Sequence, residues 1–96
     1  MKLSNEHITR ATGQIDAEPI AETHPAMPQF ASVFGDHTFF LDGEGLSIIE
    51  PAEPQTDGMS TGRIVKVARW SDASHRQLMP HEREFTDVFV ALGKAA

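Results

Sequence analysis

Cysteine and tyrosine are absent from this chain of 96 residues, and tryptophan occurs once. Without thiols there is no disulfide framework and no thiolate metal site, and nothing argues for an oxidising compartment. No apolar run is long enough for a membrane span or for the core of a signal peptide. Positive charge is scarce as well: eight Lys and Arg stand against 14 Asp and Glu, a formal charge of −6. That balance opposes the counterion release that drives nucleic-acid binding, and it opposes anionic membrane surfaces. The expectation is a small acidic cytoplasmic protein with neither nucleic acid nor membrane among its partners. A chain this short makes one small domain and encloses no sizeable cavity.

Motifs that carry chemistry are equally sparse. The glycines never form GxGxxG or a phosphate loop, and no serine sits in a GxSxG elbow. Five histidines are present, but HERE at 81–84 is not HExxH, and no second histidine stands at helical or strand spacing from His81. A zinc or iron site needs three or four converging ligands. His37, His75, His81 and Glu82 supply them only if the tertiary fold gathers them; histidines at surface turns are the plainer reading. Asp36 and His37 are neighbours, and adjacent residues on a strand point to opposite faces, which argues against an acid–base pair. No catalytic residue and no cofactor is assigned.

What the sequence does contain is a β-hairpin. In DHTFFLDGEGLSIIE, at 36–50, two apolar runs flank Asp42, Gly43, Glu44 and Gly45. A two-residue turn at Asp42-Gly43 and a four-residue loop from Asp42 to Gly45 are both possible. Both closures put Phe39, Leu41, Leu46 and Ile48 on one face and Thr38, Phe40, Ser47 and Ile49 on the other. The first face is the expected core. The second is too apolar for solvent, so Phe40 and Ile49 need a cover from a helix, the N-terminal segment or a second copy of the protein.

Around the hairpin the patterns are weaker. Residues 1–31 are polar and punctuated by prolines at 19, 25 and 28, so they are expected to form a flexible arm. The stretch 29–34 would add an edge strand or lay Phe30 and Phe34 across the sheet. PAEPQTDGMST, at 51–61, reads as a surface loop. GRIVKVARW, at 62–70, reads as a third strand antiparallel to the second hairpin strand, with Arg63, Val65, Val67 and Arg69 on one face and Ile64, Lys66, Ala68 and Trp70 on the other. Ser71 or Asp72 would cap a short helix stopped by Pro80. In 84–92, Phe85, Val88, Phe89 and Leu92 have helical spacing, yet the β-forming composition favours a strand. The predicted fold is α+β: an antiparallel sheet of three or four strands built on the hairpin, one short helix, an arm over 1–31, a single domain over 32–93 and a tail over 94–96.

Charge is unevenly distributed. Six acidic residues and no Lys or Arg occupy 36–57, whereas five basic ones lie in 62–83. Cross-strand pairing within the domain accounts for this at a few tenths of a kcal/mol per exposed pair. Alternatively, Arg63, Arg69 and Arg76 form a docking surface for an acidic partner, with Trp70 as an anchor. The functional expectation is a non-catalytic protein-interaction or self-associating module, possible as a homodimer, using Phe40, Ile49, Arg63, Arg69, Trp70 and Arg76. The alternative is a small metal-binding or hydrolytic enzyme built on the histidines and Glu82.

Overall fold

The computed structural model describes residues 3–52 and 59–94. The chain runs α1 (Asn5–Thr12), β1 (Glu18–Pro19), α2 (Met27–Phe34), β2 (Phe39–Leu41), β3 (Gly45–Pro51), β4 (Met59–Trp70) and β5 (Leu78–Lys94). The strands form one antiparallel sheet in chain order, β1-β2-β3-β4-β5. The α+β class and the central hairpin are as expected. The sheet has five strands rather than three or four, and two helices rather than one.

Pairing of Phe39 with Ile48 and of Leu41 with Leu46 places the four-residue loop at Asp42–Gly45. The Asp42 carboxylate organises it, accepting the N–H groups of Glu44 at 2.8 Å and Gly45 at 3.0 Å. Gly45 has φ +140°, and a Cβ there would lie 2.2 Å from the Ala68 carbonyl oxygen, so no other residue fits. Phe39, Leu46 and Ile48 belong to one buried cluster, Phe40 and Ile49 to the other, as the alternation requires.

Both faces are closed by the N-terminal third of the chain, the part read as a flexible arm. Ser4 caps α1 by accepting the His7 N–H at 3.2 Å. The helix sets Ala11 against Phe40, Ile49, Ile64, Val90 and Leu92, with Leu3, Ile15 and Ala17 around them. The Leu3 N–H donates to Thr38 Oγ1 at 2.8 Å, and Gln14 binds both backbone groups of Ala91, at 2.7 and 2.9 Å. On the opposite face, α2 places Met27, Phe30 and Phe34 in the cluster of Phe39, with ring centroids 5.5 and 6.0 Å from it. The stretch 29–34 is thus helical and not an edge strand, although its aromatics do lie across the sheet. The sheet sits between two helical layers, which a chain of this length achieves only because each helix covers one narrow stripe.

Two further expectations are corrected on the C-terminal side. No helix follows Trp70. The Asp72 carboxylate accepts hydrogen bonds from the backbone and hydroxyl of Ser74, His75 has φ +55°, and the Ser71 N–H donates to the Gln77 carbonyl at 2.8 Å. This tight loop lets Trp70 pair with Leu78. Asp72 acts as a turn former, and Pro80 lies inside β5, an edge strand where a missing N–H is tolerated. A bulge at Val67 moves Ala68 to the face of Val65 and Val67, against the strict alternation read from the sequence. The strand expected at 84–92 is present as part of a longer β5. Most of the loop expected at 51–61 lies outside the described residues, and β4 already begins at Met59.

Candidate functional site

β5 is where the sheet leaves apolar surface uncovered. It carries two bulges in its first dozen residues: from Val65 to Arg63, its partners run from Phe85 to Phe89, and from Ala68 to Lys66 they run from Pro80 to Glu84. Between Phe85 and Phe89 the Thr86 hydroxyl donates to the Ile64 carbonyl at 2.7 Å, standing in for a ladder bond. Phe85 and Phe89 stay on one face across the bulge. Val90 packs with Ile64 and Ala11 beneath α1, while Phe85 and Phe89 lie on the opposite face beside Val65 and Arg63. Phe85 remains 58% exposed and Phe89 45% exposed, because no described element covers this face of β5.

The surroundings of these rings are charged in both senses. The Arg63 guanidinium lies over the Phe89 ring at 4.8 Å from its centroid, while its Nε is buried without a hydrogen-bond partner. Arg83, two residues before Phe85, donates to Glu50 at 3.2 Å. His37 lies 3.9 Å from the same carboxylate oxygen and stands edge-on to Phe39. Burial holds the His37 imidazole below its ordinary value despite Glu50. The exposed face of β5 therefore carries Arg83, Phe85 and Phe89.

The other residues singled out from the sequence are dispersed. Phe40 and Ile49 are 1% and 0% exposed beneath α1, so they belong to the core and offer nothing to a partner. Arg63 and Arg69 occupy opposite ends of the β3–β4 ladder, opposite Glu50 and Gly45, roughly 20 Å apart along the strand. Arg69 and Arg76 are exposed near the β4–β5 turn and form no single patch with Arg63. Trp70 is engaged internally: its indole N–H donates to the Asp42 carbonyl at 2.8 Å and its ring stacks on His75 at 4.8 Å. His37 and His75 lie at opposite ends of the sheet, and His81 Nδ1 lies 2.6 Å from the Glu82 carbonyl oxygen. Only His81 and Glu82 share a hollow. Among the described residues no group of three or more His, Cys, Asp or Glu is placed to hold a metal ion.

A hollow of about 600 Å³ lies between residues 14–17, the hairpin loop and β5 over the floor of Phe40, Ser47 and Ile64. Its one cation, Lys66, is held by Glu44 at 2.7 Å, and that hydrogen bond raises its pKa. A lysine kept protonated in this way is neither base nor nucleophile.

Sequence reading had placed Phe85 and Phe89 in a strand without giving them a role. The signal for one was the period-two order of Arg83, Phe85 and Phe89 against Thr86, Val88, Val90 and Leu92, which separates a mixed face from an apolar one. The fold and surface define a small antiparallel-sheet protein with an aromatic, charge-flanked strip along one edge strand. Comparison with protein-family models, with curated proteins and with solved structures finds no match. Among the described residues no helix is long and apolar enough to cross a membrane.

Proposed function

We propose that the protein is a non-catalytic interaction module whose docking surface is the exposed face of β5. One observation carries the reading: Phe85 and Phe89 stay about half exposed on β5, whereas Phe39, Phe40, Leu46, Ile48, Ile49 and Val65 on β2, β3 and β4 are buried. Aromatic residues beside arginine are typical interface anchors, since a ring gives up much apolar surface for little lost side-chain entropy. The docking site moves from Phe40 and Ile49 to Phe85 and Phe89, and Arg63 keeps the role expected for it. The cytoplasmic setting expected from the sequence belongs to the same proposal. A photoreactive phenylalanine analogue at position 85, introduced in cells that express the chain, tests it. The expected result is a discrete adduct that does not form when the analogue replaces the exposed Glu22. Equal, diffuse labelling from both positions would sink the reading.

A further inference from the structure

Arg63 points to the occupant of this surface. It stands opposite Glu50 on the β3–β4 ladder, the position from which an arginine ordinarily takes a cross-strand ion pair. Glu50 is engaged instead by Arg83 at 3.2 Å, with His37 at 3.9 Å from the same oxygen. The Arg63 guanidinium lies over the Phe89 ring, and its Nε is closed off from water without a hydrogen-bond partner. A ring attracts the charge but offers no oxygen to the N–H groups, and folded chains rarely leave a buried donor in that state. Arg63 also lines a hollow of about 260 Å³ with Glu50, Pro51, Ala52 and Phe85. That is less than the ~300–1,000 Å³ of sites that enclose a small molecule, and it suits a single side chain entering from outside. Among the described residues the two arginines of this face, Arg63 and Arg83, meet one carboxylate, Glu50, and Arg83 holds it. The face is left with positive charge beside two exposed rings.

We infer that this face takes an acidic segment of a partner protein, with a carboxylate docked on Arg63 and a neighbouring apolar side chain on Phe85 and Phe89. This rests on the interaction reading above and deepens it by naming the partner's chemistry. A carboxylate suits the site because its two oxygens match two N–H groups of a guanidinium in one plane, while the ring engages the same cation through its face. An inorganic anion would use Arg63 and leave both rings in water; a segment with acidic and apolar side chains together uses all three. The bulges of β5, Pro80 and Gln14 on the backbone of Ala91 blunt this edge against strand addition, so the segment is held by side chains. Local charge makes the selection, since the chain as a whole carries a formal charge of −6 and repels acidic molecules.

The test is a titration of the isotope-labelled full chain with a short peptide that alternates Glu and Leu, followed by nuclear magnetic resonance at the Arg63 Nε–H and at the amides of Phe85 and Phe89. The three signals should shift together and saturate, with a dissociation constant of about 1 mM or tighter. The same peptide with Gln in place of Glu should bind about tenfold or more weakly, and so should one with Ser in place of Leu. Arg63→Gln should bring the Glu peptide down to the affinity of the Gln peptide while the amide spectrum keeps its dispersion, because the guanidinium holds no hydrogen bond in the fold. Should that variant lose its fold, Arg63→Lys, which keeps the charge without the planar donors, should still weaken the Glu peptide and leave the Gln peptide unaffected. Signals that never saturate, a peptide series indifferent to the change from Glu to Gln, or an arginine variant that binds like wild type overturns the inference. The adduct formed at position 85 separates the two proposals. An adduct with a second copy of the chain, or with a partner segment that has no carboxylate near the linked residue, defeats the acidic partner and leaves the module standing, whereas no adduct defeats both.

Discussion

At the scale of single residues, Phe40 and Phe85 show how little a residue type says about its role. Both are phenylalanines on strands, but Phe40 is enclosed by α1 while Phe85 faces outward. Truncating Phe40 to Ala should cost about 3–5 kcal/mol, the transfer loss plus a cavity. Phe85→Ala should cost less than about 1 kcal/mol in the isolated protein, since an exposed ring loses little on truncation. Urea midpoints at low protein concentration measure the difference, and equal shifts would mean that Phe85 is a folding residue after all. Gly45→Ala is the complementary case. It removes no contact, yet it forces a Cβ into the Ala68 carbonyl at a backbone angle disfavoured for L residues, so it should destabilise by at least 1–2 kcal/mol by urea unfolding.

At the scale of elements, α1 and β5 depend on each other. Eight residues make a helix too short to persist alone, so α1 exists because Ser4 caps it, Ala11 is buried and Gln14 is bound to β5. Ser4→Ala should lower stability by about 1 kcal/mol. Amide exchange should quicken in α1 first, and protection around Ala91 should fall with it. Exchange that quickens evenly along the chain would show that α1 is not a separate opening unit. The same coupling explains the strand at 84–92. Phe85, Val88, Phe89 and Leu92 fit a helical stripe, but β4 offers ladder partners along its whole length, so pairing and β-forming composition prevail.

At the scale of the molecule, the sheet between two helical layers leaves His37 where its titration bears on stability. His37 is held below its ordinary 6.5 by burial, chiefly, with Glu50 opposing. As pH falls past 6.5 the unfolded chain takes up that proton first, so unfolding is favoured until the folded-state value is passed. Stability should therefore be full above this window and decline as the pH drops through it. Between about pH 7.5 and 5.5 the urea midpoint of wild type should fall more than that of His37→Gln. Parallel lines for the two proteins would rule out His37 as the source.

The sequence by itself determined the hairpin, the faces of β2 and β3, the antiparallel β3–β4 pair and the strand at 84–92, because alternation and turn chemistry act over a few residues. It also showed that the face of Phe40 and Ile49 needs a cover. Which segment provides that cover was a tertiary matter: the polar, proline-punctuated stretch before residue 31 has too weak a period to announce two helices, and each is stable only against the sheet. The bulge that turns Ala68, the loop that replaces a helix after Trp70, and the dispersal of the arginines and histidines arise from register between strands far apart in sequence. The exposure of Phe85 and Phe89 has the same origin, since no described element packs over that face of β5. A pattern along one strand states which residues share a face; only the packed molecule states which faces remain uncovered.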